Sequence, residues 1–186
     1  MTAYASISVS FHPSLLIVSS ADNASFSFLA SIIWVLYEIS FPIAFLVSLV
    51  VTFVLIPLAK LENIPIDIFF HPLPIIMHNA NILFMTIEFL LNNISFLPNH
   101  VIFILAYGIL YVYFAWYWHE KKGVYYYFFL DYTRPFAILW YIALLGINYG
   151  LFALGEYCNA WKFAHDGLIP RLVMPLSLFI SFFCFV

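Results

Sequence analysis

Across 186 residues, 66% of the side chains are hydrophobic and only 8% are charged, against the ~25% charge of an ordinary soluble domain. A water-soluble fold of this composition has too little polar surface to cover itself, so the apolar excess must face lipid. A net charge of −3, with Lys121-Lys122 as the longest basic run, excludes nucleic-acid binding, which needs clustered cations.

Residues 1–30 read as an irregular leader or the remnant of an upstream helix. No basic stretch precedes their apolar residues and Pro13 interrupts them, so they do not make a secretory signal. The first clear span covers residues 31–58, with Pro42 inside it as an expected kink that membrane helices tolerate. Lys60, Glu62 and Asn63 end it, and a loop with Pro65, Pro72 and Pro74 follows, Pro74 suiting the first turn of the next helix.

The second span runs over residues 74–91 and closes at Asn92-Asn93. The third covers residues 100–118, its second half crowded with Tyr107, Tyr111, Tyr113, Trp116, Tyr117 and Trp118, as an interfacial aromatic belt requires. A polar connector, His119 to Gly123, and an aromatic run lead to Arg134-Pro135, where a fourth span begins and lasts to about Gly155. Residues 159–186 form a connector and a candidate fifth helix over 172–186. The expected fold is all-α: a polytopic transmembrane bundle of four to five spans, with residues 31–158 as its body. Cys158 and Cys184 have no CxxC or metal-ligand spacing, so neither a disulfide nor a redox site is expected.

Two features orient the bundle. The connectors 59–73 and 119–134 carry Lys60, Lys121, Lys122 and Arg134, while the opposite side holds the 92–99 loop, which has no Lys or Arg, and the segment after Gly155 with Lys162 and Arg171; the positive-inside rule makes the connector side cytosolic. The sequons Asn23-Ala24-Ser25 and Asn93-Ile94-Ser95 both fall on the other side, where glycosylation takes place. The protein is expected in an endomembrane or the plasma membrane, with membrane lipids as its partners.

Polar groups inside the spans need a reason, because a central Asp costs at least ~2.5 kcal/mol. The second span holds His78, Asn79, Asn81 and Glu88. Asn81 and Glu88 are seven residues apart and so lie within ~20° of each other around a helix, with His78 on the adjoining edge. This polar face is expected to look into the bundle. Glu88 matches the depth of Glu38 on the first span, and Asn148 lies near the middle of the fourth. His78 is ~15 Å from Glu88 along the axis, too far for one catalytic dyad, and is better placed to meet His119 and Asp131 at the cytosolic end. The bland reading of all these groups is interhelical hydrogen bonding, worth ~0.6–2 kcal/mol each. His12, His71, His100 and His165 sit at loops or span ends and read as interfacial. No HExxH, HxxEH or GxSxG pattern occurs, and neither metal nor cofactor is expected.

Residues 34–156 resemble the superfamily of the rolling stone proteins and the androgen-induced membrane hydrolases. Three patterns carry the resemblance: Tyr37-x3-Phe41-Pro42; Met77-His78-x2-Asn81-x6-Glu88; and Trp118-His119-x3-Gly123-x3-Tyr127-x2-Leu130-Asp131, followed by a helix with Asn148 and Leu154-Gly155-Glu156. For the androgen-induced branch, the resemblance implies a threonine-type hydrolase of hydroxy-fatty-acid esters with His78 at the position of the intramembrane histidine. A histidine titrating near neutrality suits general-base work on a hydroxyl nucleophile. The family threonine lies on an earlier helix, and only Thr2 stands upstream here; Thr52 is at a depth near His78 but does not match that position. Phe128 also stands where the family has a proline after Tyr127. The chain therefore looks like a version without the first helices.

The rolling stone branch fits Asn81 and Tyr37-Glu38-x2-Phe41-Pro42-x2-Phe45-Leu46-Val47 better. It implies a membrane protein linked to myoblast fusion with no assigned chemistry. The expected function is thus a multi-pass membrane protein of the rolling stone type. The alternative is a lipid-ester hydrolase using His78 with a hydroxyl such as that of Thr52. A transporter drawing on Glu38 and Glu88 is a third reading, disfavoured by the lack of an inverted repeat.

Overall fold

Four long apolar stretches become four helices in the computed structural model, which describes residues 22–164. The helices are α1 (Ser27–Leu61), α2 (Pro72–Leu91), α3 (Pro98–Lys122) and α4 (Ala137–Ala164), each long and apolar enough to cross a membrane. The described residues contain no strand. The chain is an all-α, multi-pass helical bundle. The fifth candidate, 172–186, lies outside the described residues.

The helix that becomes α1 already begins at Asp22, inside the stretch read as a leader. It passes Pro42 without interruption and is packed against all three other helices. Near its end, Val51–Leu55 widens into a π-helical turn in which the Ile56 N–H reaches Val51 O. The cause is two residues downstream: Pro57 has no N–H to return to the preceding turn, and a wider turn redistributes the bonds. A second π turn, Ile76–Ala80, follows Pro72 and Pro74 in α2. Prolines that would break a soluble helix are thereby absorbed within the spans.

Gly123 ends α3 in the left-handed conformation, φ 71°, with its N–H returned to His119 O at 2.6 Å, the glycine cap that closes many helices. The last helix starts later than Arg134-Pro135 suggests. Phe136 takes φ 71°, which no α-helix accommodates, so regular helix begins only at Ala137. It also runs on to Ala164, past Gly155, because its packed stripe continues through Leu151, Phe152, Gly155, Cys158, Asn159 and Lys162.

A cluster of buried aromatic residues lies toward the end holding the 92–97 loop, hereafter the loop end. The loop inserts Phe96 between helices, where its ring meets Tyr37, Phe41, Phe89 and Phe152 at centroid separations of 5.5–6.2 Å. Gly155 makes the space. A Cβ there would stand 2.8 Å from Phe96 Cε1, closer than carbon atoms pack, and a tight 3.2 Å from Phe41 Cδ1.

Candidate functional site

The polar residues of the spans sort into three places with different chemistry. At the loop end they form a network around the 92–97 backbone. Loops at membrane depth must have their N–H and C=O groups bonded by protein, and here side chains from α1 and α4 do it. Glu38, 1% exposed, accepts from the Leu97 N–H at 2.6 Å with Oε1 and from His100 Nδ1 with Oε2. Trp34 Nε1 donates to Ser95 O at 2.8 Å. Asn159 donates Nδ2 to Ile94 O at 2.9 Å and accepts from the Phe96 N–H at 3.4 Å.

Lys162, also 1% exposed, donates to Phe89 O and Asn92 O, each at 2.9 Å, with its Nζ 4.4 Å from the Phe89 ring centroid. Those carbonyls belong to the last turn of α2 and the residue after it, the negative pole of that helix. A buried ammonium is held there by helix-end carbonyls and an aromatic face.

The second place is α2 itself. Asn81 and Glu88 do share a face, but it points outward: both are exposed. The buried face carries Ile82, Thr86 and Phe89. Helical spacing correctly put the two polar residues together and said nothing about which face would pack. Ring packing of Phe89 on Phe41 at 5.3 Å decides it, and Asn81 turns its amide onto Met77 O within its own helix. Of the expected stripe, only Glu38 and Asn148 are buried.

His78 sits in the π turn of α2, half-buried, with Nδ1 shielded and without a hydrogen-bond partner. Thr52 lies in the π turn of α1, partly exposed, and its hydroxyl does not bond that nitrogen. His78 also lacks a bond to the connector groups. His119 instead stacks on Tyr125, with centroids 3.9 Å apart and planes within 7°. Asp131 folds onto its own turn, accepting from the Thr133 hydroxyl at 2.6 Å, the Thr133 N–H at 3.0 Å and Arg134 Nε at 3.3 Å. The Thr133 hydroxyl, foremost, holds the Asp131 carboxyl below its ordinary value. Burial pushes the Tyr125 phenol up to about 12, so it stays protonated at any physiological pH. No group of three or more His, Cys, Asp or Glu able to hold a metal ion occurs among the described residues.

The third place is a cavity of about 170 Å³ bounded by α1, α3, α4 and the 127–130 segment. Its walls are apolar apart from tyrosines and Asn148. Asn148 is 4% exposed, and its Oδ1 is buried without a partner.

Reading the sequence alone took His100 as interfacial and left Asn159 and Lys162 in the connector that follows the bundle. A signal was present: Asn148, Phe152, Gly155, Asn159 and Lys162 follow one another at steps of three or four, so Lys162 is in register with a packed stripe. Comparison with protein-family models, curated proteins and solved structures gives no match. The family resemblance therefore rests on the residue patterns given above.

Proposed function

We propose that this chain is a non-catalytic multi-pass membrane protein of the rolling stone type, acting through its folded surface within the bilayer. One observation supports this reading above the others. The buried Glu38, Asn159 and Lys162 all hold main-chain groups of the segment 89–97, so their chemistry is spent on architecture. The transport reading loses its pair of carboxylates in the same way, since Glu38 is bonded and Glu88 faces outward.

The hydrolase reading keeps one specific observation in its favour: His78 Nδ1 is unpartnered in a π turn, and π turns are frequent at functional sites. A hydroxyl nucleophile bonded to it is what that reading lacks.

The two readings separate on purified full-length protein in nanodiscs, treated with a fluorophosphonate probe and with a hydroxy-fatty-acid ester. The non-catalytic reading expects neither labelling nor turnover, and expects His78→Ala to melt at the temperature of the parent protein. Labelling or turnover that disappears in His78→Ala would overturn it.

A further inference from the structure

Among the buried polar groups without a hydrogen-bond partner, Asn148 is the one that lines the cavity. Its carbonyl oxygen is buried and unbonded, at the middle of α4 and on the wall of the cavity. An amide with no partner in an apolar surrounding costs roughly 2–7 kcal/mol, and bulk water is absent at this depth to relieve it. An ordered water would need two to four polar partners; besides Asn148 these walls offer tyrosine hydroxyls alone, and that of Tyr141 is already bonded.

Helices α3 and α4 approach closely beside this amide. Gly108 on α3 faces α4 here: a Cβ at Gly108 would stand 2.7 Å from Leu145 Cδ2 and 3.9 Å from Asn148 Nδ2. The opposite end of the cavity is closed to new polar ligands in a different manner. Tyr141 accepts from Trp116 Nε1 at 3.1 Å and donates to Leu130 O at 2.9 Å, so its hydroxyl is already bonded as donor and acceptor. From Tyr141 to Asn148 the helix rises ~10 Å. Between them the walls are aliphatic and aromatic, including Val47, Val51, Val112 and Leu144.

A ligand for this site needs an apolar body and one small group able to donate and accept at once, since a carboxamide offers both functions. A hydroxyl does so reciprocally, whereas an ether or an ester carbonyl can only accept. The void slightly exceeds a 150 Å³ cavity that admits benzene, which fits a ring-sized or short-chain body and excludes a phospholipid headgroup with its charge. We propose that this cavity binds a small apolar alcohol, of one ring or a short chain, its hydroxyl paired with the Asn148 carboxamide and its hydrocarbon lying between α1, α3 and α4. The assignment goes beyond the non-catalytic reading and does not depend on it, because binding here involves no reaction.

The test uses full-length protein in nanodiscs and three photoreactive probes of one chain length: a short-chain diazirine alcohol, its methyl ether and its carboxylic acid. Cross-links are mapped by mass spectrometry, with unlabelled alcohol as competitor. The alcohol should label residues of the cavity about tenfold more than the ether, the step expected for ~1.4 kcal/mol of hydrogen bonding. In Asn148→Leu the alcohol should fall to the ether's level, and in Val47→Phe, which fills the cavity from α1, both should fall. The comparison between probes in the unaltered protein stands even if a variant fails to fold. Equal labelling by alcohol and ether, labelling that survives Asn148→Leu, or stronger labelling by the acid would each overturn the proposal.

Discussion

At the loop end, Glu38, Asn159 and Lys162 each reach a main-chain group of the 89–97 segment, whereas in the cavity Asn148 Oδ1 reaches nothing. The two regions lie on the same helices, α1 and α4, and both bury polar atoms in an apolar surrounding. They differ in what made burial tolerable. A loop supplies many N–H and C=O groups that lipid cannot satisfy, and a carboxylate, an amide and an ammonium can each close two of them. A helix has no such spare groups in its middle, so a carboxamide placed there waits for a partner from elsewhere. Saturated polarity reads as architecture, and unsaturated polarity beside a void reads as a binding site.

That contrast can be broken most sharply at Lys162. Lys162→Met keeps much of the side-chain length and strands Phe89 O and Asn92 O; with ~1.5–3 kcal/mol for each bond to a charged group, we expect a loss of about 3 kcal/mol or more, read by reversible unfolding in detergent. Glu38→Ala should follow at about 2–3 kcal/mol, since the Leu97 N–H and His100 lose their acceptor. Glu38→Gln, which still accepts from Leu97, should cost less than half as much. If either loss were under 0.5 kcal/mol, the network would not be what holds the loop.

Gly155→Ala tests the packing that accompanies the network. The added methyl meets Phe96, and overpacking of this kind costs about 1–3 kcal/mol. By contrast, Asn148→Leu in the empty protein should be neutral or stabilising by up to ~1 kcal/mol, because it removes an unpaired polar group. A large destabilisation there would erase the distinction between the two regions.

The smallest effect belongs to the connector. Folding lowers the Asp131 carboxyl, so its contribution is present above the ordinary carboxyl value of 3.8 and disappears as pH falls through the lowered one. Hydrogen exchange at the Thr133 amide should accelerate, relative to neighbouring amides, only under that acid condition, and Asp131→Ala should abolish the difference.

Much of this molecule was legible before any fold was known. Composition placed it in lipid, and the clustering of apolar residues gave the four spans, because a bilayer demands about twenty apolar residues in a row whatever the packing. The common face of Asn81 and Glu88 was legible as well, since helical geometry is local. Its direction was not: whether that face or the Ile82–Thr86–Phe89 face turned inward depended on rings arriving from α1 and from the 92–97 loop. The same holds for Lys162, whose partners stand 70 and 73 residues away in the chain, and for Asn148, whose lack of partners is a property of three helices together. Sequence determined where the chain enters lipid, because transfer from water is a sum over neighbouring side chains. Tertiary structure alone decided which polar atoms are satisfied, because a hydrogen bond depends on two groups meeting at about 3 Å in the right orientation.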